Sequence, residues 1–374
     1  MVDPEVYEAL AMPIVGHLDP LFLALMDELQ DQLRRAFRTT NPTTLAVSGT
    51  GSAGMEAALV NLLEPGEHAL VLVNGAFGER MCQMVDRIGA RAHRLERPWG
   101  EVFDIDQVAR KLDALPAVRV VCVVHAETST GALQPIEGLG RLCRDSDRLL
   151  VVDAVTSLGG TELRVDDWRI DACYSGTQKC LSCPPGLAPI TFGRRAVDRI
   201  RKRRRPVGSW YLDVTLVSDY WTEGSRTYHH TAPISMNFAL HRALELLHEE
   251  GLEARFARHR RHGAALVSGL EALGFSAFTP ATHRLPMLAA VELPAGVEDA
   301  PLRRRLLDDY DIEVGGGLAG LAGRVWRIGL MGAGARKENV HRLLEALEEL
   351  LSTPGGRDAA ESAYGAIAVD EMRS

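Results

Sequence analysis

At 374 residues the chain is longer than a usual single domain, and two domains are expected. Its 46% hydrophobic and 25% charged residues are those of an ordinary globular protein, and a formal net charge of −8 excludes a general nucleic-acid binder. No apolar run reaches the ~20 residues needed to span a bilayer, the N-terminus carries no signal-peptide pattern, and six scattered cysteines read as reduced thiols of a cytoplasmic protein.

The first expected element is a helix from about Asp19 to Phe37, with Leu21, Leu25, Leu29 and Leu33 on one face. A strand Thr43–Ser48 leads into the small-residue turn Gly49-Thr-Gly-Ser-Ala-Gly54 and then a helix that stops at Pro65-Gly66. The alternation continues with a strand His68–Val73, a helix Ala76–Ile88 and a strand Arg91–Leu95. A helix after Asp104, a strand Val118–His125, a helix after Pro135 and a strand ending at Asp153 complete it. Strands alternating with helices predict a mostly parallel sheet wrapped by helices on both faces, an α/β fold.

After Phe192 the texture changes. Arg199–Arg205 holds six basic residues, an aromatic and polar connector runs to His230, and a helix-rich region spans Ile234–Leu273. The chain then alternates again: an extended Leu285–Leu293, a helix Leu302–Tyr310, a strand Val325–Leu330 and a helix Lys337–Leu351. The expected divisions are an N-terminal segment 1–40, a large domain with connector 41–233 and linking helices 234–274. A small C-terminal α+β domain 275–353 and a flexible, Gly/Ala/acid-rich tail 354–374 complete the chain.

The chemistry centres on Leu149–Asp153, a buried-strand pattern ending in one carboxylate, and on Tyr174-Ser-Gly-Thr-Gln-Lys179, where a short strand ends and a lone lysine follows. A buried Asp needs a cationic partner, and ligands of open α/β sheets sit at the carboxyl ends of the strands. An acid and a lysine on neighbouring strand ends suit pyridoxal phosphate, which needs a lysine for its Schiff base and an acid to keep its ring nitrogen protonated.

Gly49-x-Gly51-x-x-Gly54 also fits the G-x-G-x-x-G dinucleotide fingerprint, so an NAD(P)-dependent oxidoreductase is the rival reading. Against it, the next strand ends in Asn74-Gly75 with no acid for a ribose, and the Asp153/Lys179 arrangement goes unexplained. Backbone N–H groups at a helix N-terminus, with the Thr50 and Ser52 hydroxyls, would equally hold a phosphate. Three other features carry less. Cys180-Leu-Ser-Cys183 lacks a second pair for zinc and the setting of a redox site. His229-His230 lacks a third metal ligand at a sensible spacing, and the basic run reads as a solvated face.

With these pieces in place the sequence resembles the class V, fold type I pyridoxal-phosphate aminotransferases, above all the alanine–glyoxylate and serine–glyoxylate (serine–pyruvate) enzymes. The likeness runs from about Pro13 to Leu351 and rests on motifs in the family's order. They are Ser48-Gly-Thr-Gly-Ser-Ala-Gly-Met-Glu, Asn74-Gly-Ala-Phe-Gly-Glu-Arg, Glu127-Thr-Ser-Thr-Gly, Val152-Asp-Ala-Val-Thr-Ser, Tyr174-Ser-Gly-Thr-Gln-Lys and Trp326-Arg-Ile-Gly. The resemblance implies that Lys179 bonds the cofactor and later moves the substrate Cα proton, while Asp153 pairs with the ring nitrogen. It implies that Phe77 and Val155 flank the ring and that Thr128 bonds its phenolic oxygen. Thr50, Gly51, Ser52 and Gln178 fall where the family holds the phosphate. Tyr228 and Thr231 match residues that reach the phosphate from the partner subunit of a homodimer, and Arg327 matches the Arg that grips the substrate carboxylate.

The implied reaction is transfer of an amino group from alanine or serine to glyoxylate. Pyridoxamine–pyruvate, aminoethylphosphonate–pyruvate and ureidoglycine–glyoxylate transaminases share the scaffold and stay open. A cysteine desulfurase is set aside, because residues 311–336 contain no Cys. Two departures stand out: the chain starts Met1-Val-Asp-Pro, past the Pro-Gly-Pro stretch that lines the family's substrate mouth, and some relatives have His where Ser52 stands.

Overall fold

The computed structural model describes residues 1–222 and 226–373. The chain opens with helices α1 (Pro4–Leu10) and α2 (Pro20–Phe37), then strand β1 (Thr43–Ser48) and α3 (Gly51–Leu62). Next come β2 (His68–Val73), α4 (Ala76–Arg87), β3 (Arg91–Glu96), α5 (Ile105–Asp113) and β4 (Val118–Val124). A two-residue pair, β5 (Ala126–Glu127) and β6 (Ala132–Leu133), precedes α6 (Glu137–Asp145). The strands β7 (Leu149–Asp153), β8 (Ala172–Tyr174) and β9 (Leu187–Phe192) complete this half of the chain.

Helices α7 (Arg194–Arg201) and α8 (Val214–Trp221) lead to the long pair α9 (Ile234–Glu250) and α10 (Leu252–Ala272). The chain ends with β10 (Ser276–Ala277), β11 (Leu288–Glu292), α11 (Asp299–Tyr310), β12 (Gly315–Gly316), β13 (Val325–Gly329), α12 (Lys337–Leu351) and α13 (Gly356–Arg373).

Seven strands form the main sheet in the order β1-β9-β8-β7-β4-β2-β3. The pairs β2/β3, β2/β4, β4/β7 and β7/β8 are parallel, as their apolar runs predict. The sheet is not wholly parallel, because β9 lies between β1 and β8 and is antiparallel to both. It follows that β1, β7 and β8 all end at the same edge. Leu70, Val121, Leu150, Val151 and Val152 are fully buried between the helical layers.

In α2 the Asp19 carboxylate accepts the Leu21 N–H, and Pro20 opens the first turn. The buried face is Phe22, Met26, Leu29 and Leu33, while Leu21 is 56% exposed. Steps of four residues drift by about 40° each, which carries Leu21 off the face that Leu33 shares.

A second sheet, β10-β11-β13-β12, is antiparallel and packs its own core, in which Leu266, Trp326 and Leu344 are buried. The basic stretch covers the last turn of α7 and the four residues beyond it. There Arg199 pairs with Glu67, and Arg203 donates to the Asn61 and Leu63 carbonyls. Where composition suggests a flexible tail, the chain forms α13. Small residues allow close packing there: Ala360 is fully buried, a Cβ on Gly269 of α10 would lie 2.8 Å from the Gly356 carbonyl, and the Tyr364 hydroxyl sits 2.8 Å from His262 Nδ1. Among the described residues no helix is long and apolar enough to cross a membrane.

Candidate active site

The carboxyl edge of the main sheet holds a cavity of about 140 Å³ between the ends of β1, β7 and β8. Thr50, Gly51, Ser52, Phe77, Thr128, Asp153, Val155, Gln178 and Lys179 all line it, so nine residues from five separate stretches of the sequence meet in one cleft.

Asp153 forms its base. The residue is only 4% exposed; one oxygen accepts the Val155 N–H at 2.8 Å and the other the Tyr174 hydroxyl at 2.9 Å. Burial pushes its carboxyl up to about 6, against the pull of those two donors and of the charges on Arg80 and Lys179. A buried acid so perturbed is set to take a cation.

Lys179 stands on the loop between β8 and β9. Burial holds its ammonium below the ordinary value, and the charge of Arg327 acts in the same direction. The loop is braced: Ser175 N–H donates to the Pro189 carbonyl, Cys183 N–H to the Thr177 carbonyl, and the Thr177 hydroxyl to the Pro184 carbonyl at 2.6 Å.

The glycine turn closes one end. No side chain caps the first turn of α3, and Thr50, Gly51 and Ser52 at its start line the cleft, so its leading N–H groups and two hydroxyls are available there. A Cβ on Gly51 would meet Val155 Cγ2 at 2.9 Å, and one on Gly54 would meet Ala188 Cβ at 3.0 Å and Tyr174 Cβ at 3.3 Å. These glycines allow α3 to lie close to the sheet at the strand-end acid. They do not make a dinucleotide site: β2 is followed by Asn74 and not by an acid, and Asp153 and Lys179 line the cleft. The oxidoreductase reading is unsupported.

Sequence reasoning missed Met55, Val124, Ala126 and Thr156 in the lining and, most consequentially, the charged Arg80. Its guanidinium lies 5.0 Å from the centre of the Phe77 ring, and Nη1 donates to Ser52 Oγ at 3.2 Å, which puts a cation at the glycine turn. The signal was the i, i+3 spacing from Phe77, which places both on one face of α4.

The other three candidates lie off the cleft lining. Arg327 is half-buried on β13, where Nε donates to the Gly316 carbonyl at 2.8 Å and burial lowers its pKa. Its charge is felt at Lys179, and that of Glu127 is felt at it. Tyr228 is 55% exposed, with its hydroxyl 3.3 Å from Thr231 Oγ1. Neither lines this chain's own cleft. His229 stacks on Trp210, and His230 Nε2 lies 2.6 Å from Ser48 Oγ.

This donor set fits pyridoxal phosphate: a perturbed buried acid for a ring nitrogen, a lysine of lowered pKa, an aromatic wall, and an uncapped helix N-terminus with a cation for a phosphate.

Comparison with known proteins agrees. The family model for class V aminotransferases matches residues 6–343. The (S)-ureidoglycine–glyoxylate transaminase of Bacillus subtilis is 40% identical, over 99% of this chain and 93% of that protein. The alanine–glyoxylate aminotransferase of Rattus norvegicus is 40% identical, over 93% of this chain and 84% of that protein. The crystal structure of an alanine–glyoxylate aminotransferase from Nostoc sp. superposes with a TM-score of 0.92 at 48% identity, covering 94% of this chain and 92% of that one. The chain therefore belongs to the class V aminotransferases, pyridoxal-phosphate-dependent transaminases that move amino groups between amino acids and 2-oxo acids.

Proposed function

We propose that this enzyme transfers the amino group of a small L-amino acid, alanine or serine, to glyoxylate, giving glycine and a 2-oxo acid. Relatives named for alanine–glyoxylate and for ureidoglycine–glyoxylate transamination share glyoxylate, which supports it as the acceptor. For the donor, the observation that carries the reading is Arg327, a half-buried guanidinium whose charge is felt at Lys179. Among the described residues no carboxylate forms an ion pair with it, its Nε being held by the Gly316 carbonyl. One bidentate grip suits a monocarboxylate.

When bound, pyridoxal phosphate supplies an aldehyde that takes the amino group and a ring that accepts the electrons of the substrate Cα–H bond. The chain's own residues do the rest. Lys179 Nζ, its pKa lowered by burial, would hold the cofactor through its aldehyde carbon and would move the proton to and from substrate Cα. Asp153, with both oxygens oriented, would keep the ring nitrogen protonated. Phe77 and Val155 would hold the ring between them, and Thr128 would donate to its phenolic oxygen. The first turn of α3, Thr50, Ser52, Gln178 and Arg80 would hold the phosphate.

The working unit in this proposal is a homodimer in which Tyr228 and Thr231 reach the partner's phosphate; their exposed hydroxyls are available for that. All six cysteines are buried and unbonded, which supports a cytoplasmic setting.

The test is a visible spectrum followed by a donor and acceptor screen. The purified protein is expected to be yellow, Lys179→Ala to lose both the band and turnover, and glyoxylate to outrun pyruvate as acceptor. A clear preference for glutamate or aspartate as donor sinks the monocarboxylate reading.

A further inference from the structure

Glu127 enters the site only through its neighbours. It closes β5, is fully buried, and does not line the cleft. One carboxylate oxygen accepts the N–H groups of Phe77 at 3.1 Å and Gly78 at 3.3 Å; the other accepts the Ser129 N–H at 3.1 Å and the Ser129 hydroxyl at 2.5 Å. Ser129 Oγ in turn accepts the Ala76 N–H at 2.9 Å. The backbone carbonyl of Glu127 also closes the turn, accepting Thr130 N–H and Gly131 N–H.

Helix α4 begins after Gly75, which offers no capping side chain. A Cβ on Gly75 would lie 2.4 Å from Glu127 Cγ and Cδ and 2.5 Å from Ser129 Oγ. Glu127 thus fills the place of a helix cap from 52 residues away (127 − 75), where the helix dipole favours an anion.

We propose that Glu127 is a positioning residue of the cofactor site, its carboxylate locking the start of α4 to the 127–131 turn so that Phe77 and Thr128 are held in fixed relation across the cofactor ring. The proposal rests on the reading of the cleft as the pyridoxal-phosphate site. The lever is short. Phe77 is bonded to Glu127 through its own N–H, Arg80 follows one turn later onto Ser52, and Thr128 is the next residue in the chain. A shift at the carboxylate would move the ring wall, a phosphate-side cation and the phenolic-oxygen donor together.

All four groups on the carboxylate donate to it: three backbone N–H groups and the Ser129 hydroxyl. An ionised Glu127 accepts every one, whereas a protonated one keeps the Ser129 hydroxyl contact only by reversing it, with its own O–H donating to Ser129 Oγ. Burial acts the other way and pushes the carboxyl up to about 7, opposed by the Ser129 and Gly78 donors and reinforced by the charge of Asp153 at the tip of β7. Arg327 on β13 is the cation that feels it.

The experiment compares wild type with Glu127→Gln, which keeps the volume but turns an amide donor towards N–H groups. Both are saturated with pyridoxal phosphate, and kcat, the KM for the amino donor, the visible circular dichroism of the bound cofactor and thermal unfolding are followed across the neutral pH range. The expected result is a kcat lower by about tenfold or more, a KM within about twofold, a weakened cofactor dichroism band, and loss of an acid limb in kcat near pH 7 that wild type shows. Should Glu127→Gln fail to fold, Ser129→Ala, which removes one donor and the link to Ala76, is expected to change the same readouts in the same direction by less. Wild-type kcat and dichroism in the variant, with only the unfolding midpoint lowered, would reduce Glu127 to a structural cap and overturn the proposal. A wild-type protein that takes up no cofactor removes the reading of the cleft itself, a separate failure.

Discussion

Asp153 is where burial and function meet on one carboxyl. Its pKa rises from 3.8 to about 6 in the ligand-free chain, so between roughly pH 4 and pH 6 the folded state binds a proton that the unfolded state releases. Stability from this group is therefore fully present in acid and falls as pH rises through that window, by on the order of 3 kcal/mol. Asp153→Asn removes the dependence. Urea unfolding of both cofactor-free proteins at about pH 4.5 and pH 7 should show the variant gaining on wild type as pH rises; a gap independent of pH would mean that the carboxyl is unperturbed. Arg327→Lys is expected to raise the KM of the amino donor about tenfold or more with the visible spectrum unchanged, because an ammonium cannot reproduce the planar fork. Steady-state titration checks it. The cost of an acid at the end of an apolar run made Asp153 legible in the sequence. The same reasoning applies to Glu127 after Val118–Val124, but the partners that give it a role come from α4 and depend on the crossing of β2.

Among the elements, strong periodicity was readable and weak periodicity was not. Helices α2, α4 and α12 and strands β1, β2, β4 and β7 emerge from their apolar spacing and stop signals within a residue or two. Strand β9 was hidden because Pro189 interrupts it and because nothing local reveals that a chain turns back antiparallel in a parallel sheet. Helix α13 was hidden because Ala360, Ala363 and Tyr364 make a narrow apolar face that composition alone reads as a tail. Truncation after Pro354 is expected to lower the unfolding midpoint by several degrees, since it uncovers α10 beside Gly269 and removes the Tyr364–His262 bond. An unchanged midpoint by calorimetry would show α13 to be dispensable.

At the scale of the whole molecule, the cleft lies at the carboxyl edge of one sheet, while Tyr228 and Thr231 face outwards from the connector. If each site draws on two subunits, mixing Lys179→Ala with a Tyr228→Ala/Thr231→Ala double variant gives hybrid dimers with one site carrying every defect and one carrying none. Activity should reappear under conditions of confirmed subunit exchange, and its continued absence would sink the shared site. The position of Tyr228 and Thr231 could be matched by motif; their environment could not, because in the proposed dimer it would depend on a second chain.

The antiparallel course of β9 has a last consequence. Because it descends from the edge at which β8 arrives, residues 175–186 leave and re-enter the sheet at neighbouring points, with both ends hydrogen-bonded. The lysine is thus mounted on a loop whose ordering entropy was spent when the sheet formed, and cofactor binding has little left to order. Amide hydrogen exchange in this loop should be slow before cofactor is added and change little afterwards.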